Sequence, residues 1–227
     1  MARIRAAERR ADLVAAAVRV IAEHGVDGAT TRRIAEEANA PLAMLHYCFA
    51  TKELLFAAVF EDLAGKYREV LTSNDIHGDL PSTARALLRG VMEWYRENPA
   101  YGATIVELIS WGQREGGQAE TVYNAAFETM RTILENTAAD GGPVGADTID
   151  RLIYLVSVLS DGFALNWLVF ADAEAADAQA ELTVGALDAW MAANLDASPD
   201  AEAPSERRHQ SESERAIRPL MSWVRMN

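Results

Sequence analysis

Two threonines followed by two arginines, Thr30, Thr31, Arg32 and Arg33, gather hydroxyl and guanidinium groups on one short stretch of chain. Thr30 suits a helix N-cap, which puts both arginines in the first turn of the helix it opens. The helix dipole disfavours cations there by about a few tenths of a kcal/mol, so an anion is the natural compensation. A phosphate held by the threonine hydroxyls, their backbone N–H groups and the guanidinium groups would supply it. Catalysis has less to build on, since the sequence holds no glycine-rich phosphate loop, no Gly-x-Ser-x-Gly elbow and no His-Glu-x-x-His helix. Asp161, set in an apolar run, is the one carboxylate placed for core acid-base chemistry; a helical-bundle enzyme with an unrecognised acid-base pair is the alternative reading it keeps open. Accepting a hydrogen bond from a neighbouring helix is the simpler role for it. His24, His46, His77 and His209 share no paired spacing suited to a metal, so no metal, no cofactor and no enzymatic activity are expected. Cys48 is the single cysteine, cannot form an internal disulfide, and reads as a buried, inert thiol.

A second set of side chains is aromatic. Trp94, Tyr95, Tyr101, Trp111, Tyr123, Phe127, Met130, Phe163 and Trp167 fall on successive helical segments, and bundles place ligand sites between helices lined by such residues. Trp94, Trp111, Tyr123, Phe127, Met130, Phe163 and Trp167 are the expected walls of a small-molecule site, with Asn124, Glu107, Asp161 and Asn166 as polar candidates. No cationic residue is plainly central, so the effector is expected to be apolar or aromatic. The same residues read equally well as core.

Helices must position both sets, and hydrophobic spacing finds no convincing strand. Residues 6–24 form a first helix stopped by Gly25, with Leu13, Val14, Ala17, Val18 and Ile21 inward. Thr30 caps 31–38, with Ile34, Ala35 and Ala38 inward; Pro41 opens 42–47. Thr51 caps a fourth helix whose expected buried stripe is Leu54, Leu55, Ala58, Val59 and Leu63. Five longer helices follow at about 81–96, 100–113, 119–138, 148–171 and 174–194, punctuated by Gly78, Asn98-Pro99, Gly116-Gly117 and Gly141-Gly142-Pro143. The predicted fold is all-α: an N-terminal three-helix helix-turn-helix DNA-binding domain (1–52), a C-terminal helical-bundle ligand-binding and dimerisation domain (53–195), and a flexible tail (196–227) whose composition cannot bury itself, with a possible docking element at 217–226.

Two short helices joined by Asn39-Ala40-Pro41 behind a longer one make a helix-turn-helix, whose second helix enters the DNA major groove. The spacing Thr30-x3-Ile34-Ala35-x2-Ala38-x6-Leu45-x-Tyr47-x-Phe49-x-Thr51-Lys52-Glu53-x-Leu55 resembles the TetR family of bacterial transcriptional regulators, strongly over residues 8–60. The resemblance implies a homodimeric, usually repressing DNA-binding protein, released from its operator when a small molecule enters the C-terminal domain. It also implies that Lys52 contacts the DNA backbone and that Tyr47 can bond a phosphate. Arg33 departs from the family, which often has an acid there. Leu42, Ala43 and Met44 stand where relatives often carry polar residues, leaving His46 as the main outward polar group; contact with thymine methyls and DNA shape would carry most of the readout. Part of the 42–44 surface could instead pack on the first helix.

Charge and length agree with that organisation. The 227 residues carry a formal charge of −13, which taken globally argues against nucleic acid. Yet residues 1–52 hold eight basic against six acidic groups, a net +2, while the remainder nets −15; Arg3, Arg5, Arg9 and Arg10 lie at the basic end. The helix at 148–171 is apolar on nearly all sides, which suits a two-fold pairing with 174–194 of a second copy, approached closely through Gly162, Ala164 and Gly185. Residues 152–171 approach bilayer-spanning length, but a central Asp161 is costly in lipid. The expectation is a cytoplasmic protein with no membrane association.

Overall fold

The computed structural model describes the backbone of residues 2–76, 78–115, 119–141 and 144–195, and side chains within 7–76, 78–112, 122–139 and 144–195. The tail at 196–227, its docking element, His77, His209 and the side chains of Arg3 and Arg5 lie outside these residues. The chain is all-α, with nine helices and no strand among the described residues: α1 (Ala2–Gly28), α2 (Thr31–Glu37), α3 (Leu42–Cys48), α4 (Lys52–Ser73), α5 (Leu80–Glu97), α6 (Pro99–Glu115), α7 (Ala119–Gly141), α8 (Ala146–Phe170) and α9 (Ala173–Asn194). Residues 1–188 form one compact unit. The second, 189–227, is described only to Leu195 as the helical end of α9, where Asn194 Nδ2 donates to Trp190 O at 2.8 Å.

Local chemistry sets most boundaries. Thr30 and Thr51 accept at their hydroxyls from Arg33 N (3.2 Å) and Leu54 N (3.3 Å), and Asp79 accepts from Ser82 N at 2.7 Å ahead of α5. Gly25 takes φ 69°, a left-handed break inside α1, after which the chain resumes one short turn to Gly28. At the end of α2, Asn39 is left-handed (φ 48°), while Ala40 N donates to Ala35 O (2.9 Å) and Asn39 N to Glu36 O (3.0 Å). That double closure is a Schellman motif, with asparagine in place of glycine, and it swings the chain from α2 into α3.

α4 differs from expectation at one residue. Leu54 is 52% exposed, whereas Leu55, Phe56, Val59, Phe60 and Leu63 are buried. The helix packs against α1, α5 and α7, so its buried arc follows three neighbours rather than one stripe and leaves Leu54 outside it. Ala164 is a second correction: it is buried and lines an interior cleft rather than an outer close-approach face. Gly162 and Gly185 do face open space.

α8 is long and apolar enough by composition to cross a membrane. Two of its three carboxylates are bonded to α7: Asp150 pairs with Arg131, and Asp161 accepts from the Tyr123 hydroxyl at 2.9 Å. Arg89–Glu181 (2.6 Å) and Arg96–Asp177 (2.9 Å) tie α5 to α9; solvent screens pairs at the surface, so they align the helices more than they hold them. The outer surface of α8 and α9 exposes Val158, Leu165, Val169, Phe170 and Leu182. A groove of about 320 Å³ between them is lined by Val158, Leu159, Gly162, Phe163, Asn166, Gln179, Leu182 and Thr183.

Candidate nucleic-acid interface and apolar cleft

Ile34, Ala35, Leu45, Phe49 and Leu55 are buried with Ala17 and Ile21 of α1, and this small core fixes α2 and α3 against α1. Leu45 is the only buried residue of α3. Leu42, Ala43, Met44, His46 and Tyr47 are exposed, Tyr47 at 82%, so the 42–44 surface is turned outward. The short α3 thus gives Leu45 to the core and turns five of its seven residues to solvent. Cys48 is half-buried, and its carbonyl accepts from Arg10 Nη1 at 3.0 Å while the Arg10 guanidinium lies 4.1 Å from the Phe49 ring centre. Arg10 is therefore a clamp between α1 and the end of α3, a role that sequence reading missed.

The other basic groups are also held. Thr30 is exposed and Thr31 half-buried; Arg32 pairs with Glu36 at 3.0 Å across one helical turn. Arg33 Nη1 donates to Gly28 O at 2.7 Å, which anchors the loop before α2. Lys52 Nζ donates to Val26 O at 3.2 Å and sits 4.9 Å from the Phe56 ring centre.

Between α5, α6, α7 and α8 lies a cleft of about 300 Å³, lined by Tyr95, Gly102, Ile105, Val106, Ile109, Ser110, Tyr123, Asp161, Ala164, Leu165 and Leu168. A second, tighter space shares Ile105, Tyr123 and Asp161 and reaches inward to Tyr67, Met130 and Val156. Of the walls expected from sequence, Tyr123 and Met130 line these spaces. Trp94, Trp111, Phe127 and Trp167 are not among their lining residues. Trp94 packs on Tyr67, Tyr95 and Tyr101, Trp111 meets Phe56 edge-on at 5.5 Å, Phe127 packs on Tyr123, and Trp167 receives Arg96. Phe163 faces the separate groove beside α9. Tyr95, Ile105, Ile109 and Leu168 were not singled out as walls; only their place in the packing reveals them.

Burial pushes the Asp161 carboxyl from its ordinary 3.8 up to about 6, the Tyr123 hydrogen bond acting in the opposite sense. Burial, then the Asp161 charge, hold the Tyr95 and Tyr123 hydroxyls well above their ordinary range. Glu107, a polar candidate from sequence, points elsewhere. Its Oε2 accepts from Val26 N at 3.4 Å, and three residues earlier Thr104 Oγ1 donates to Val18 O at 2.8 Å. α6 thus borders the cleft with one set of residues and grips α1 with another, and Lys52 grips the same Val26 from the α4 side. Among the described residues no group of three or more His, Cys, Asp or Glu is arranged to hold a metal.

A helix-turn-helix packed on a longer helix, followed by a helical bundle with an apolar cleft, defines a DNA-binding regulator with a helical C-terminal domain. The chain matches the family model described as bacterial regulatory proteins, tetR family, over residues 13–59. It is 31% identical over 179 residues to the HTH-type nicotine-responsive transcriptional repressor HdnoR of Paenarthrobacter nicotinovorans, covering 75% of this chain and 88% of that protein. It is 26% identical over 200 residues to the HTH-type transcriptional regulator BetI of Rhizobium meliloti, covering 88% and 95%. A tetR-family transcriptional regulator of Streptomyces coelicolor shares the fold, with TM-score 0.66 at 16% identity over 94% of this chain and 97% of that one. The protein belongs to the TetR family and is a DNA-binding transcriptional regulator, a class whose members are generally not enzymes.

Proposed function

We propose that this protein is a cytoplasmic, homodimeric repressor, released from a palindromic operator when a small apolar or aromatic molecule enters its helical domain. The observation that carries the reading is one connected set of contacts: the cleft borders α6, α6 bonds α1 at Val18 and Val26, and Val26 bonds Lys52 at the start of α4. In this reading residues 1–52 bind DNA, 53–195 sense and dimerise, and 196–227 form a flexible tail. α3 lies in the major groove, with Leu42, Ala43 and Met44 against thymine methyls and His46 at a base edge. Thr30, Thr31, Arg32, Arg33, Tyr47 and Lys52 take phosphates, Arg33 and Lys52 trading their loop carbonyls for phosphate oxygens. The exposed apolar faces of α8 and α9 pair with a second copy through residues 148–171 and 174–194. Two copies of α3 then stand about 34–36 Å apart, one helical turn of DNA.

A molecule wedged among Ile105, Ile109 and Tyr123 displaces α6, and with it the end of α1 and the start of α4, which changes that spacing. Linkage bounds the effect at about 1–3 kcal/mol, roughly 5- to 150-fold in DNA affinity. The nicotine-responsive relative supports a small-molecule effector. The enzyme alternative keeps Asp161 as its acid, but among the described residues no second carboxylate, histidine or cysteine lines either space, which favours the regulator. A compound shown to occupy the cleft, titrated into the protein–operator complex, should weaken DNA binding within that range. A bound compound that leaves operator affinity unchanged contradicts the proposal.

A further inference from the structure

Among the described residues, Asp161 is the only ionisable acid or base, tyrosines aside, lining either the cleft or the space beneath it. The fold treats two α8 carboxylates, the buried Asp150 and the half-buried Asp161, differently. Asp150 is given an arginine, Arg131. Asp161 is given a neutral hydroxyl, Tyr123, on Oδ2 only, and no cation pairs with it among the described residues. Its surroundings in the cleft are mostly apolar, Ile105, Val106, Ile109, Ala164, Leu165 and Leu168 with the rings of Tyr95 and Tyr123, and Ser110 adds a hydroxyl there, while Ser157 and Ser160 line the space beneath.

A carboxylate placed in such a setting is costly unless a positive charge joins it. Its free oxygen can accept one charge-assisted N–H hydrogen bond, and tyrosine rings favour a cation at their faces. The volume of about 300 Å³ is at the small end of ligand sites, enough for one or two rings. We propose that the effector of this protein is a protonated amine on an apolar or aromatic body, with Asp161 as its counter-ion and the Ile105, Ile109 and Leu168 wall receiving the body. This rests on the cleft being the effector site, and it replaces an effector without charge by one carrying a single cation. At neutral pH the raised Asp161 carboxyl is still mainly ionised, so the charge awaits its partner.

The test uses phenylalkylamines with one and two rings, together with the alcohols and carboxylates of matched length, titrated calorimetrically into the full-length protein at pH 7.5. Amines should bind about 10- to 100-fold more tightly than the matched alcohols, and carboxylates most weakly. In Asp161→Asn the advantage of amines over the matched alcohols should fall to near unity. Tyr123→Phe, which keeps the carboxylate, should retain the advantage and guards against a folding artefact in the first variant. Alcohols binding as tightly as amines, or an amine advantage that survives Asp161→Asn, overturns the inference and leaves the cleft as effector site. Failure of every probe to bind overturns the cleft assignment and the inference with it.

Discussion

Replacing Asp161 by asparagine removes a half-buried charge while leaving an oxygen that can still accept from the Tyr123 hydroxyl. The folded-state pKa of about 6 lies above the ordinary 3.8, so the folded protein holds this proton more tightly than the unfolded chain does. The stability tied to the protonated form is fully present below pH 3.8 and is lost as pH rises through about 6. At pH 8 the whole difference of about two pK units applies, about 3 kcal/mol at 1.36 kcal/mol per unit; at pH 5 about half of it does. Asparagine mimics the neutral carboxyl at every pH. Asp161→Asn should therefore stabilise the ligand-free protein by about 3 kcal/mol at pH 8, roughly 6–12 °C in Tm for a chain of this size, and by about half that at pH 5. Thermal melts of both proteins at fixed concentration across this range measure the difference directly. A variant that is equally or less stable than the parent at pH 8, or a gain that does not shrink toward pH 5, refutes the claim that Asp161 is a desolvated charge without a counter-ion.

Tyr47→Ala and Lys52→Ala should each weaken binding to all duplexes about equally, because phosphate contacts position without specifying, and Lys52→Ala alone should also lower the salt slope by about one unit; affinity against salt on two unrelated sites checks this. His46→Ala should instead alter the preferred sequence, read by comparing selection profiles of variant and parent. Leu182 is 77% exposed, so Leu182→Glu should split the dimer without unfolding the protomer, visible as a halved mass in sedimentation at unchanged helicity. Leu187, buried within the protomer, should unfold on the same substitution. Removing the α6 tie with Glu107→Ala should shrink the effector-induced loss of DNA affinity, measured as the ratio of Kd with and without a cleft ligand.

The DNA-binding half was legible because its signals are local. Thr30 and Thr51 cap the helices expected of them, Gly25 breaks α1, and the Asn39-Ala40-Pro41 turn joins α2 to α3 within a residue of its predicted ends. The hydrogen bond expected of Asp161 is present, from Tyr123 of α7. The cleft was less legible, since large aromatics serve packing as readily as binding. Trp94 and Trp111 are spent on Tyr67 and Phe56, and the walls are aliphatic residues of α6 and α8 that no spacing distinguishes from core. Leu54 fails for a related reason: helical period locates an apolar stripe, but the neighbours packed against α4 decide which arc is covered. The second roles of Arg10, Glu107 and Lys52 arise between segments distant in sequence, where no local pattern records them.

The central claim, that α3 reads operator DNA as part of a two-fold dimer, meets its most direct test in unbiased selection of duplex sites by the purified full-length protein. The account predicts enrichment of a near-palindrome whose half-site centres lie about 10 base pairs or a whole multiple of that apart, bound with steep salt dependence. Recovery of no enriched sequence, or of a single unrepeated half-site bound by one protomer, would contradict it.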